Sequence, residues 1–229
     1  MGMDDERAII SVTVLPSRLP HCRGCIESLA GQGLPLYVWA PEEVERTGDV
    51  FEGWPEWMQG LVDFATVTAD RGPIGKLLSA LPLADIVLTA DDDVVYGDGW
   101  ADGLLEWHGR MGDVALGYRG RVFRDRRYNN SRLVVEPSKP MTVDLLTGTW
   151  GALYRADWFA DSIYDEWCVC RLNDDIVINA HLKRRGVQRV VIPKECEIEP
   201  LAGVHQIDAL WVENRHRNDY GLDAVEWWA

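Results

Sequence analysis

The feature that most limits the fold of this chain is a repeated alternation of strand-like and helix-like runs through its first half. Ile9 to Leu15 reads as a strand, Arg23 to Ala30 as a helix and Leu36 to Trp39 as a second strand. A third strand near Phe64 to Thr68, a helix through Lys76 to Leu81 and a fourth strand at Asp85 to Thr89 continue the pattern. Trp100 to Arg110 then reads as a helix and Val114 to Tyr118 as a strand, after which the pattern loosens. Strands separated by helices run parallel, are joined by right-handed crossovers and are covered on both faces, and such sheets take ligands beyond the carboxyl ends of their strands. The prediction is an α/β, Rossmann-like architecture. A chain of 229 residues without a visible linker or repeat suits one domain over 1–229 at least as well as two small ones.

Asp91-Asp92-Asp93 stands at the end of the fourth strand, which delivers three carboxylates together at the ligand side of the predicted sheet. Adjacent anions repel and need a cation or a bed of N–H donors. Mg²⁺ or Mn²⁺ meets that need, because such an ion takes one or two carboxylates and completes its shell with water and phosphate oxygens. The alternative is an acidic turn before the next helix, with Asp98 as its cap.

Upstream lies Asp70-Arg71-Gly72-Pro73-Ile74-Gly75-Lys76. The order of Gly-Pro-x-x-Lys, helix, strand and Asp-Asp-Asp resembles nucleotide-sugar glycosyltransferases of the GT-A type. The resemblance implies a single GT-A type domain with a mixed, mostly parallel sheet flanked by helices. It places Asp91 and Asp92 near the nucleotide sugar, Asp93 on a Mn²⁺ or Mg²⁺ ion, and Asp70 and Lys76 near the nucleotide; Arg18 completes the expected substrate-binding set. Read alone, Lys76 either sets one positive charge beside a diphosphate or is a solvated helix lysine.

Asp174-Asp175-Ile176-Val177-Ile178, followed by His181-Leu182-Lys183-Arg184-Arg185-Gly186, reads as an amphipathic helix capped by Asp174 or Asp175 and stopped at Gly186. One aspartate suffices as a cap, which frees the other for acid–base work. The run also resembles the Glu-Asp-x-Asp-Leu segment of the large inverting glycosyltransferase family 2-like group, with Asp174 in place of Glu, Val177 in place of the second Asp and His181 where Arg is common. That resemblance puts Asp175 at the catalytic base, with Asp174 beside it. Leu146 to Arg155 resembles the small-residue segment that precedes the base, so Trp150 and Gly151 are expected at the sugar; the alternative is a strand with a glycine bulge and a core Trp. The implied division is a nucleotide-sugar half at 8–118, an acceptor half at 119–205 and a tail at 206–229. His205, at the end of the acceptor half, is a further expected metal ligand, with His216 in the tail a weaker candidate; Trp211, Trp227 and Trp228 share that tail.

A net charge of −14 argues against binding nucleic acid or anionic membranes, although a modified-base acceptor stays open. The opening Met1-Gly2-Met3-Asp4-Asp5 lacks the positive start and apolar core of a leader, and no run reaches about 18 apolar residues, so the expectation is a cytoplasmic protein without a membrane span. Cys22, Cys25, Cys168, Cys170 and Cys196 are expected as reduced thiols. Cys22-x-x-Cys25 at a helix start is the mark of a thiol–disulfide oxidoreductase, and with Cys168 and Cys170 it could form a Cys₄ zinc site. Other readings are a nucleotidyltransferase and a noncatalytic sugar- or nucleotide-binding module. Arg119, Arg121, Arg124, Arg126, Arg127 and Arg132, with a turn at Tyr128-Asn129-Asn130, are expected to form a loop that closes over the diphosphate, receives an anionic acceptor or is simply solvated.

Overall fold

The computed structural model describes residues 6–159, 161–204, 207 and 218–228. The candidates His205, His216 and Trp211 lie outside the described residues. Strands β1 (Ala8–Thr13), β2 (Leu36–Pro41), β3 (Phe64–Thr68) and β4 (Ile86–Ala90) pair in parallel in the order β3-β2-β1-β4. The sheet continues through β11 (Ala152–Arg155), β6 (Val114–Gly117), β12 (Gln188–Val191) and β9 (Met141–Thr142). β11 runs antiparallel to both β4 and β6, β12 is parallel to β6, and β9 is antiparallel to β12. The eight strands thus form a mixed, mostly parallel sheet.

Successive residues of a strand point to opposite faces, and here they feed two separate cores. Ile10, Val12, Leu88 and Ala90 pack with α1 (Arg23–Ala30) and α3 (Trp100–Met111), through Cys25, Ile26, Trp100 and Leu104. Ile9, Val87, Ala152 and Tyr154 face the other way, onto α2 (Gly75–Leu78), α4 (Ile163–Glu166) and α5 (Asp174–Arg184). Burial on both faces explains why β1 and β4 are nearly continuous apolar runs rather than alternating ones.

The predicted elements of the first half are present, with α2 shorter than expected because Pro82 lies just beyond it. Three local expectations change. Asp98 does not cap α3; Gly99 occupies that position with φ 80°. Neither Asp174 nor Asp175 caps α5, since Asn173 does so by accepting the Ile176 N–H at 3.3 Å. That helix is also not amphipathic: every side chain from Ile176 to Leu182 is buried, His181 included, the last stacked on Phe159. Its end is the expected one, with Gly186 at φ 72° and the Val187 and Gly186 N–H groups donating to Leu182 and Lys183 carbonyls.

The arginine-rich stretch is an antiparallel hairpin rather than a loop. β7 (Arg119–Val122) pairs with β8 (Arg132–Val135), and β10 (Leu145–Leu146) pairs with the other edge of β7. Only the turn at Tyr128–Asn130 is as expected. Gly120 lets β7 approach so closely that a Cβ there would meet the Leu145 carbonyl at 2.8 Å and Val191 Cγ2 at 2.8 Å. β5 (Val94–Tyr96) pairs with β13 (Ile198–Pro200), and α6 (Asn218–Ala224) closes over the hairpin side. At the pole away from the carboxyl ends, Arg155 pairs with Glu6 at 2.7 Å and Asp157 at 2.8 Å. No helix among the described residues is long and apolar enough to cross a membrane.

Two glycines test the backbone argument. Gly151 has φ 94° and its missing Cβ leaves room for the Trp100 indole, which would lie 2.3 Å away. Gly33 has φ 76° and nothing within 4 Å. Gly33→Ala should therefore cost about 1 kcal/mol from backbone strain alone, and Gly151→Ala about 3 kcal/mol once overpacking is added. Denaturant titration of the two variants checks the difference.

Candidate functional site

The parallel strands deliver their following loops to one end of the sheet, around a cavity of about 920 Å³. Because β11 is reversed, its start rather than its end lies there, and this brings Thr147 to Trp150 to the same place. Arg18, Asp70, Lys76, Asp91, Asp92, Asp93, Trp150, Asp174 and Asp175 all line the cavity. Gly151 does not; its smallness serves Trp100, whose Nε1–H donates to the Trp150 carbonyl at 2.8 Å.

The aspartates of the 91–93 run diverge. Asp91 accepts from Lys76 at 2.6 Å, while its backbone N–H donates to the Tyr96 hydroxyl at 2.8 Å. Asp92 is buried, with one oxygen on Arg18 and the other accepting the Leu15 N–H at 3.1 Å. Asp93 lies 3.2 Å from Arg18, whose remaining N–H groups donate to the Ile207 carbonyl. Burial, then the charges of Asp91 and Asp92, push the Asp93 carboxyl up to about 6. Asp70 organises its own loop by accepting the Gly72 N–H at 2.7 Å and the Glu45 N–H at 3.0 Å.

Lys76 joins the two sequence motifs. It is buried and contacts Asp91 at 2.6 Å and Asp174 at 3.2 Å, the second without hydrogen-bond geometry. Burial alone would lower its pKa; Asp174 and Asp91 outweigh that and hold the ammonium well above its usual value. It is therefore not a solvated helix lysine.

Asp175 is positioned by its neighbours. Buried Asn179 clamps β10 to α5, accepting the Leu146 N–H and donating to the Leu146 carbonyl, each at 2.8 Å. That clamp sets the following turn so that the Gly148 N–H donates to Asp175 Oδ1 at 2.6 Å. A Cβ at Gly148 would stand 3.2 Å from the same oxygen, a tight contact that a larger residue could make only by shifting the carboxylate by a few tenths of an ångström. Burial, then Asp174, push the Asp175 carboxyl up to about 8 despite the Gly148 donor. With its pKa near 8 the carboxyl is mostly protonated at neutral pH, and it becomes a strong proton acceptor above that value or once a nearby cation offsets the charges of Asp174 and Asp91.

Asn173, Asn179 and Gly148 were not singled out from sequence; Asn before an Asp pair was the available signal for the cap. Arg119 and Arg121 do reach the cavity, from a strand rather than a loop. The Arg119 guanidinium lies 5.8 Å and Lys194 Nζ 5.0 Å from the centroid of the Trp150 ring.

Cys22 and Cys25 are buried in the core and unpaired, and burial pushes the Cys22 thiol up to about 12 and Cys25 well above its usual value. A redox pair requires the opposite shift and access, so the oxidoreductase reading fails. No group of three or more His, Cys, Asp or Glu among the described residues is placed to hold a metal, which removes the Cys₄ site and shows that Asp91–Asp93 form no preformed cage. A hard divalent ion nevertheless fits the donors present. Asp91 and Asp93 keep 24% and 22% of their side chains exposed, against 6% for Asp92, and such an ion uses only one or two carboxylates. Burial is the largest cause of the raised Asp93 pKa, and the charges of Asp91 and Asp92 add to it against Arg18 and Lys76.

No protein-family model and no curated protein matches the chain. Solved structures do. Over 89% of this chain and 38% of the other, it is similar to S. aureus TarS at 12% identity and a TM-score of 0.50. Against residues 1–349 of the same protein the values are 84%, 59%, 13% and 0.52. The chain thus spans less than two thirds of either structure. At this identity the likeness carries the fold, which is of the GT-A type.

The Asp175 shift has a stability consequence. Between the carboxylate's unfolded pKa of about 4 and its folded value of about 8, the folded protein holds the extra proton, so the stability from this group is present at low pH and lost as pH rises through 8. Asp175→Asn keeps an oxygen for the Gly148 N–H and removes this loss. The variant should melt higher than the parent at pH 9, with the gap closing by pH 5, as measured by calorimetry at constant ionic strength.

Proposed function

We propose that the protein is a glycosyltransferase that moves a sugar from a nucleoside diphosphate sugar to a hydroxyl acceptor. The observation that carries this reading is one cavity of a GT-A type fold in which Lys76 links the Asp91 cluster to the Asp174-Asp175 pair. One side offers carboxylates and cations suited to a diphosphate and its counterion. The other offers a single raised carboxylate with one oxygen held by a backbone donor.

Asp91 and Asp93 would hold Mn²⁺ or Mg²⁺, with His205 a further candidate ligand. When bound, that ion neutralises the departing diphosphate as a Lewis acid. Lys76 and Arg18 hold these carboxylates in place, and Asp70 shapes the loop that borders the nucleotide side. Trp150 offers its ring to the sugar or the acceptor. With Oδ1 fixed by Gly148, Asp175 takes the acceptor hydroxyl proton as the oxygen attacks the anomeric carbon. The C–O bond to the diphosphate breaks on the opposite face, giving an inverted glycoside, a nucleoside diphosphate and a proton on Asp175. Asp174 keeps Lys76 beside the base and raises its proton affinity.

Two experiments test this. Thermal-shift screening of nucleoside diphosphates should find a ligand whose effect needs Mn²⁺ or Mg²⁺, and Asp93→Ala should abolish the metal dependence; equally tight binding in excess chelator refutes the metal assignment. With the donor so identified, Asp175→Asn should bind nucleotide as the parent does yet transfer sugar at least about 10²-fold more slowly. Transfer at the parental rate would place the base elsewhere, and release of pyrophosphate instead of nucleoside diphosphate would mark a nucleotidyltransferase.

A further inference from the structure

Arg119 and Arg121 are partly buried at the cavity, yet neither forms an ion pair among the described residues. They are two residues apart on β7 and so share one face, opposite the packed face of Gly120, and both line the cavity. The residues paired with them across the hairpin are apolar: Val135 beside Arg119, and Leu133 and Leu145 beside Arg121. Each guanidinium instead lies over a ring, Arg119 over Trp150 at 5.8 Å and Arg121 over Tyr128 at 4.6 Å. Arg121 is further steadied by donating to Ser131 Oγ at 3.0 Å. The Nε atoms of both are buried without a hydrogen-bond partner.

Buried donors left unmet are costly, and like charges side by side add to the cost. Burial and then Arg121 lower the Arg119 pKa, a sign of positive charge short of an anion. Stacking on a ring leaves the N–H edge of a guanidinium available, and that fork matches phosphate and carboxylate oxygens. The carboxylate whose charge Arg119 feels most is Asp175, ahead of Asp91, which puts the pair on the side of the base.

We propose that Arg119 and Arg121 form an oxyanion subsite and that the hydroxyl acceptor carries a phosphate or carboxylate group which docks there. That the anion belongs to the acceptor rests on the glycosyltransferase reading; that the pair binds an oxyanion does not. The anion would supply the missing counter-charge and swing the reacting hydroxyl toward Asp175.

The test uses the whole chain, with inorganic phosphate as one probe and Mn²⁺-pyrophosphate as the other, read by thermal shift and titration calorimetry at constant ionic strength with chloride as control. Phosphate should raise the parent's melting temperature, and Arg119→Gln/Arg121→Gln should weaken phosphate binding at least about 10-fold while leaving the pyrophosphate response intact. The double Lys variant, which keeps charge but lacks the fork, should fall between and shows that the strand still folds. Equal phosphate affinity in parent and double Gln variant overturns the subsite. Loss of the pyrophosphate response instead assigns the pair to the donor's diphosphate and overturns the acceptor assignment. Failure of every sugar donor in transfer assays, with phosphate still held by the pair, would sink the glycosyltransferase reading and leave the oxyanion subsite standing.

Discussion

The contact on which the site depends is the buried ammonium of Lys76 between Asp91 and Asp174. It ties the end of a central parallel strand to the first turn of a helix whose sequence lies far downstream. A lysine buried without partners would lose its charge, and the aspartates without the lysine would repel. Each group is therefore tolerable only because the others are present. The Ser11 hydroxyl donates to the Lys76 carbonyl and so pins the same residue's backbone to β1. The arrangement gives little net stability, since desolvation offsets most of the Coulomb gain, but it fixes the relative position of two loops.

The surrounding polar groups follow one logic: backbone donors and small residues are spent where a carboxylate must be held still. Leu15 N–H on Asp92, Gly72 N–H on Asp70 and Gly148 N–H on Asp175 are the same device at different strand ends. Asn179, out of sight of the cavity, makes the last of these possible by locking β10 to α5. Rigidity here comes from hydrogen bonds behind the site rather than from the site itself.

The first half of the fold was legible in the sequence because hydrophobic runs of strand length alternated with helical periodicity, and Asp91–Asp93 marked a strand end. The second half was less so for physical reasons. Short strands such as β9 and β10, two residues each, carry too little pattern to detect. The hairpin was hidden because its cavity-facing positions are arginines, whose charge reads as loop, while the packed position is a glycine. At α5, helix periodicity was blurred because packing surrounds the helix, and the cap was assigned to the wrong residue because three consecutive side chains, Asn173, Asp174 and Asp175, can all cap. The site residues emerged from composition and spacing, yet the burial of Lys76 depends on a long-range contact that no local window contains.

The reversed strand β11 separates the molecule into poles with different tasks. Its start supplies the Trp150 turn to the cavity, and its end supplies Arg155 to an ionic cluster with Glu6 and Asp157 on the far side. One short strand thus links the chemical pole to a pole that holds no cavity residue. Sequence drift at the far pole, around Asp85, Asp113 and Asp157, can retune how firmly the sheet is fastened without altering what meets a ligand. For the same reason, a tag or a fusion partner joined through that pole would leave the mouth of the cavity clear.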